Sequence, residues 1–527
     1  MRSSSFDFIV IGAGSAGCAV ASRLSEDPNL TVLLLEAGGS DYRLSVRAPL
    51  AYSTQMGGAT DWNFTTQPEP GCGNRRLEQP RGKVIGGTSS MNAMVWVRGS
   101  RRDYDDWSLP GWSWEDVEPV YRRIEDHYLG PENHGVGGPI HVIRVAEPDV
   151  IARQFVAAAH ATGLPANDDV GGPDLEGAAI SPVTVWRGRR WSTARGYLDR
   201  ARSRRNLTIV SHASVDRVVL NDGRATGVEF TRRGHTTIAH ARREVVLSAG
   251  AFGTPHLLHL SGIGPTDHLR NVGITPVVDS PRVGTNLTDH PATYMNWELA
   301  PGLRGLADAK HPKWLLQWLF RGTGKLSSNF MEAVAHVRTQ SDLVDPDFQL
   351  INGPAYVWDF GRGTHPQPAA AILQSFWTPR SRGTVMARSA DPRDAPEIRM
   401  NTLTADGDVE AFVRAIHMTR QIAATEPLAS ALGREIHPGP HITDDAAIAE
   451  WVRQTCGTTG HPACSAAMGS TADSVLDERL RVRGIAGLRV ADASALPVIP
   501  RANTNAPAIL IGERCAEFIA SEWTHFD

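Results

Sequence analysis

The chain has 527 residues, 41% hydrophobic and 21% charged, an ordinary globular composition with material for roughly three domain-sized units. A formal net charge of −4 supplies no basic field for nucleic acid, and the run RARSRR near residue 200 reads as a solvated face. Five cysteines without a Cys-x-x-Cys pair argue against a metal cluster or a disulfide framework and for a reducing compartment.

The predicted elements begin at the N-terminus. Residues 8–11 are an apolar run suited to a buried parallel strand. The run leads straight into glycines without a cleavage-site pattern, so it is not read as a signal peptide. Gly12, Gly14 and Gly17 form G-x-G-x-x-G, and the residues that follow carry helical spacing. Gly12 permits the tight turn, Gly14 lets backbone approach a pyrophosphate, and Gly17 lets the helix pack on the sheet. The free N–H groups at the helix start hold phosphate charge. TVLLLE is a second buried strand, and it ends on Glu36, placed to bond ribose hydroxyls. These residues predict dinucleotide binding without choosing between NAD and FAD. After residue 40 the chain leaves the repeated βαβ pattern usual for NAD enzymes.

A second glycine-rich loop, PRGKVIGGTSSMNAMVWVRG at residues 80–99, runs into a strand-like apolar stretch. Further on, NLTIVSHASVDRVVL alternates as strands do, and REVVLSAGAFGTPHLLHLSG reads as strand, glycine turn and helix. Residues 300–450 are richer in Pro, Trp and charge. No window approaches 18 uncharged apolar residues, so no membrane span is predicted. G-x-S-x-G and H-E-x-x-H are absent, which argues against a serine hydrolase and a zinc enzyme; no metal site is expected.

The 80–99 loop resembles a signature of the glucose–methanol–choline (GMC) family of flavoprotein oxidoreductases. So do GAFGTPHLLHLSGIGP at 250–265, the C-terminal block from HPACSAAMG to GERCAEFI, VGTNLTDHP at 283–291 and RRWSTARGYL at 189–198. The likeness covers nearly the whole chain in the family's order, and is nearest to bacterial FAD-linked alcohol dehydrogenases and choline-dehydrogenase-like proteins. It implies an α/β (α+β) fold. A Rossmann-like FAD domain would be assembled from residues 1–150, 200–285 and 455–527. A sheet-and-helix substrate domain would come from 151–199 and 286–454.

Carried over residue by residue, the resemblance puts Gly12, Gly14, Ser15, Ala16 and Gly17 on the pyrophosphate and Glu36 on the ribose. Ala37 and Val84 join the cofactor contacts, and Val215 meets the adenine. Trp62 and the loop Met91, Asn92, Ala93, Met94 lie by the flavin. Asp492, Ala493, Thr504 and Asn505 close over it. Relatives that bond the flavin covalently use a histidine where this chain has Met91, so the FAD is expected to be non-covalent.

His461 matches the family histidine that faces the flavin, and Asn503 matches its neighbour. The implied reaction oxidises an alcohol CH–OH group to an aldehyde or ketone. Hydride goes to flavin N5, and the hydroxyl proton goes to His461 as general base. Asn503 orients the substrate oxygen. The family also contains lyases and light-driven decarboxylases on the same fold, which is the alternative reading; a flavin-binding protein without catalysis is disfavoured by the presence of the pair. Gly460, where relatives carry an aromatic, leaves room near the flavin, and Cys464 is read as a packed residue. The partners implied are a small alcohol and an electron acceptor, either quinone, protein or oxygen, with the dehydrogenase likeness pointing away from oxygen. The expected location is cytoplasmic, peripheral to a membrane if quinone-linked. Trp314, Trp318, Trp358, Trp377 and Glu332 are candidates for the pocket wall, core packing being the commoner role for each.

Overall fold

The structure, a computed structural model, describes residues 4–358 and 361–523. It is organised on two seven-stranded sheets. The first starts with Ser4–Ile11, whose apolar residues from Phe8 onward are buried on both faces, as a central parallel strand requires. Val32–Glu36 pairs parallel with it, and Leu207–Ser211 lies beyond. On the other side sits the long strand His235–Leu247. Its first half pairs antiparallel with Arg224–Arg232, followed by Ala213–Asn221. Its last three residues pair parallel with Leu488–Val490 from the C-terminal block. Strands distant in the chain thus meet in one sheet, among them those read from 206–220 and from the REVVL segment.

Helix Ser15–Leu24 rises from the carboxyl end of the first strand. A Cβ on Gly17 would stand 1.9 Å from the Gly12 carbonyl oxygen, so backbone lies against backbone there. Helix Asn505–Trp523 crosses the same helix closely: a Cβ on Gly512 would be 2.6 Å from the Ala16 oxygen.

The second sheet is antiparallel, in the spatial order Leu432–His437, Pro291–Leu299, Ala369–Phe376, Phe348–Gly353, Ala333–Val337, Gly177–Ile180. Side chains alternate across it with period two. Phe348, Leu350 and Phe376 pack with Phe155 and Phe412 of helices Val150–Ala161 and Asp408–Ala423. Val334, Ile351 and Leu373 face the other way, toward the first sheet's end of the molecule. Its strands come from residues 177–180 and from 291–437, with 457–458 paired beside Pro291–Leu299.

One element differs from expectation. The strand-like run after Met94, which itself sits at φ +63°, forms a single bridge, Val95 to Val183. Its partner segment contains Pro182, whose carbonyl accepts from Trp96 N at 2.9 Å but which has no N–H to return. Among the described residues, no helix is long and apolar enough to cross a membrane.

Candidate active site

A cavity of about 530 Å³ lies where the glycine turn of the first sheet meets the inward face of the second. At one end, Gly12 sits at φ +96°, where a Cβ would be 2.3 Å from the Ser248 oxygen. Gly14 is different: its nearest such neighbour is that same oxygen at 3.8 Å, and its missing side chain opens onto the cavity. Helix Ser15–Leu24 has no side-chain cap at Gly14. Its first N–H groups are free to meet an anion. Ser15 Oγ donates to Asn505 Oδ1 at 2.7 Å, which joins the starts of the two helices at the cavity.

Glu36 is buried and lines the same end. Its carboxylate accepts from Ala13 N at 2.9 Å and Gly38 N at 2.8 Å, bracing the glycine turn as well as facing the cavity. Burial drives its pKa up to about 7, against the two backbone hydrogen bonds that lower it. Asp492, also pushed upward by burial, accepts from Gly250 N at 2.9 Å and from the Thr254 and Ser494 hydroxyls at 2.6 and 2.5 Å. An uncapped helix start, a glycine whose absent side chain leaves open space and a carboxylate beyond it fit the pyrophosphate and ribose of a dinucleotide.

The sequence-predicted residues Ala16, Ala37, Trp62, Met91, Asn92, Ala93, Met94, Val215, Ala493 and Thr504 line this cavity with those above. Two do not. Gly17 packs against Gly12, and Val84 is fully buried opposite Gly39. Trp314, Trp318, Trp358 and Trp377 also lie off the wall, as does Glu332. The Glu332 carboxylate accepts from Asp149 N at 2.6 Å and from the Ser328 hydroxyl at 2.5 Å. Gly460 reaches the wall, but the space it leaves belongs to Arg81: the guanidinium Nη2 donates to the Gly460 oxygen at 2.7 Å, and a Cβ would stand 2.7 Å from that nitrogen. Cys464 is packed, and burial pushes its thiol up to about 12, far from a reactive thiolate.

His461 and Asn503 meet at the other end, with Asn503 Nδ2 3.4 Å from His461 Nε2. The Asp289 carboxylate positions the histidine segment by accepting from His461 N and His290 N, both at 2.7 Å. The surrounding hydrogen bonds decide where the imidazole proton sits. Thr459 Oγ1 gives its hydrogen to the His290 carbonyl at 2.9 Å, so toward His461 Nδ1, 3.1 Å away, it can only accept. The Nδ1 atom therefore carries the proton and also faces His290 Nδ1 at 3.0 Å, whose lone pair accepts. His290 Nε2 is buried without a well-aligned partner, the Trp377 carbonyl only partly raising its proton affinity. Nε2 of His461 is left as a lone pair beside the cavity. Burial, then the Arg81 charge, lowers the His461 pKa to about 3, which keeps it neutral.

Asn503 is oriented from the second sheet. His336 Nδ1 faces the Leu175 carbonyl at 3.1 Å and must donate, so its Nε2 accepts from Gln349 Nε2 at 3.1 Å. His336 and Gln349 are cross-strand partners. The Gln349 amide then gives Nε2 to Asn503 Oδ1 at 3.3 Å and takes Asn503 Nδ2 at 3.4 Å. This relay turns the Asn503 NH₂ toward His461. Sequence reasoning missed Gln349, His336, Asp289, His290 and Arg81. The flagged segments VGTNLTDHP and PRGK contain three of them, while nothing local marks Gln349 or His336.

Comparison with known proteins gives the family. Two models of the GMC oxidoreductase family match, the N-terminal one over residues 6–292 and the C-terminal one over 379–512. The chain belongs to the GMC oxidoreductase family, a class of FAD-dependent oxidoreductases acting on CH–OH donors. An uncharacterised GMC-type oxidoreductase of Mycobacterium tuberculosis is 41% identical over 526 residues, covering 98% of this chain and 99% of its own. An oxygen-dependent choline dehydrogenase of Burkholderia thailandensis is 42% identical over 538 residues, covering 98% and 94%. Among solved structures, pyridoxine 4-oxidase from Mesorbium loti superimposes with a TM-score of 0.90 at 29% identity, covering 99% of this chain and 100% of that one. A formate oxidase variant from Aspergillus oryzae RIB40, studied for its FAD modification, gives 0.93 at 28%, covering 99% of both chains.

Proposed function

We propose that this protein binds FAD non-covalently and oxidises an alcohol CH–OH group to an aldehyde or ketone, with His461 as the general base. The observation that carries the reading is the meeting of the glycine cradle and the His461–Asn503 pair in one cavity. In this reading residues 1–150, 200–285 and 455–527 form the FAD-binding part, and 151–199 with 286–454 the substrate part. Gly12, Gly14, Ser15 and Glu36 would hold the pyrophosphate and ribose. Met91 to Met94, Asp492, Thr504 and Asn505 would hold the flavin. Bound FAD supplies the acceptor for the two electrons and the hydrogen that leave the alcohol carbon.

The chain's own residues do the rest. His461 Nε2 takes the hydroxyl proton, and its Nδ1–H remains held by Thr459 and His290. Asn503 Nδ2 donates to the substrate oxygen, and Gln349 keeps that donor turned inward. The part of the wall nearest the second sheet is Tyr294, Ile351 and Leu373, joined by Met331 and Val357, without a carboxylate. That wall suits an uncharged alcohol better than a cationic one such as choline. The test is anaerobic mixing with a panel of alcohols in the dark. Bleaching of the flavin absorbance supports alcohol oxidation; a flavin that responds only to light with a carboxylic acid would favour decarboxylation instead.

Two results should accompany it. Acid precipitation is expected to leave yellow FAD in the supernatant, because Met91 offers a thioether where a covalent relative has an imidazole; a yellow washed pellet defeats the non-covalent reading. Gln349→Leu should keep its FAD yet lose roughly 10-fold in the reductive step, about the value of one orienting hydrogen bond. Unchanged reduction in that variant would remove Gln349 from the mechanism.

A further inference from the structure

A second cavity, of about 500 Å³, lies apart from the first. Its wall carries Arg47, Arg187, Arg189, Arg190, Arg195 and Arg321 against a single carboxylate, Asp199. Asp199 is already engaged by Arg195 at 2.9 Å and Arg202 at 3.0 Å. Among the described residues, none of the other five wall arginines has a carboxylate at ion-pair distance. Arg190 is 3% exposed. It donates to Val46 O, Ser89 O and Asn92 Oδ1, but its Nη2 is buried with no acceptor. Burial, then Arg189 and Arg195, pushes the Arg47 guanidinium below its ordinary value. Arg47, Arg187, Arg189 and Arg321, guanidinium groups that line one basin without a carboxylate at ion-pair distance, make a site for an anion, and their fork geometry suits phosphate oxygens.

The rim of this basin is apolar. Helix Pro312–Arg321 is anchored by Trp318, whose Nε1 donates to the Gly188 oxygen at 2.6 Å. Its opposite side carries Leu315, Leu316, Leu319 and Phe320, of which Leu316 is 55% and Phe320 84% exposed. Positions 315, 316, 319 and 320 form one continuous face at helical spacing. Lys310, Lys313 and Arg321 stand exposed along its edge.

We propose that the arginine basin and the apolar flank of helix Pro312–Arg321 together dock this protein on an anionic phospholipid bilayer, with a lipid phosphate in the basin and Leu316 and Phe320 in the apolar layer. An apolar helix side edged by cations is the arrangement that lies in a bilayer interface. A free phosphate would use the basin but leave the apolar side uncovered. A second copy paired by symmetry would bring one arginine cluster toward another, which opposes association. The protein as a whole is negative, at −4, so the attraction is confined to this face and sets the orientation.

The test is co-sedimentation of the FAD-loaded protein with vesicles of phosphatidylcholine alone or mixed with phosphatidylglycerol. Binding is expected on the mixed vesicles only, and should weaken as salt is raised. Phe320→Asp and Arg189→Glu should each lower it at least about 10-fold, with alcohol-dependent dye reduction in solution unchanged. The inference is overturned if the mixed vesicles are not bound, if neutral vesicles bind equally, or if either variant binds as the parent does. It is also overturned if inorganic phosphate raises the melting temperature through the basin while vesicles stay unbound, or if Phe320→Asp only splits a dimer in sedimentation velocity.

Discussion

His461→Ala is expected to fold, retain FAD and lose alcohol-dependent flavin reduction by on the order of 100-fold or more, roughly 2.7 kcal/mol of barrier. The loss is large because Nε2 is the unprotonated nitrogen of the ring, facing the cavity beside the Asn503 amide. Asn503→Ala should cost less, roughly 1–3 kcal/mol, since it removes an orienting donor and leaves the base. The double variant should fall short of the sum, because both groups serve one transition state. The pH dependence follows from the direction of the His461 shift. Its pKa in the folded protein is lowered to about 3, so the neutral, proton-accepting form persists below the ordinary histidine range of about 6.5. The wild-type reductive rate should therefore show no His461 limb between about pH 6 and 8. Stopped-flow flavin bleaching under anaerobic conditions reads all of these, and a near wild-type rate in His461→Ala would end the mechanism proposed.

Gly14→Val should weaken cofactor binding severely while sparing the fold. The new side chain would enter open cavity, since only the Ser248 oxygen lies near, at 3.8 Å. FAD affinity is expected to fall roughly 100-fold or more, about 2.7 kcal/mol, with little change in the melting temperature of the apo protein. Gly17→Ala should behave in the opposite way. Its Cβ would stand 1.9 Å from the Gly12 carbonyl oxygen, and backbone cannot rotate aside as a side chain can. The cost falls on folding itself, roughly 3 kcal/mol or more. Fluorescence titration with FAD and thermal melts of the apo proteins separate the two. If Gly14→Val binds FAD normally, the cradle does not hold the pyrophosphate.

The G-x-G-x-x-G spacing already separates these two glycines, Gly14 for the approach of a pyrophosphate and Gly17 for helix packing. The packed turn adds the atom that Gly17 meets, the Gly12 carbonyl oxygen. Where a side chain turns is the point at which the sequence stops being readable. Val84 sits in a recognisable loop, yet it turns into the core opposite Gly39. Gly460 looks like room for a substrate until Arg81, hundreds of residues away in the chain, fills that room.

By itself the sequence determined the strand–turn–helix cradle and the second buried strand ending at Glu36. These features rest on backbone conformation and short-range spacing, which neighbouring residues dictate. Tertiary structure alone decided which nitrogen of His461 is free and which way the Asn503 amide points. Those depend on Thr459 and His290 on one side, and on Gln349 and His336 on the other. Gln349 lies 154 residues from Asn503. Period-two alternation assigns it to a sheet face, but only the packing of the second sheet against the C-terminal block brings that face to the asparagine. A hydrogen bond needs its donor and acceptor within about 3 Å, and a linear pattern of residue types carries no information at that resolution.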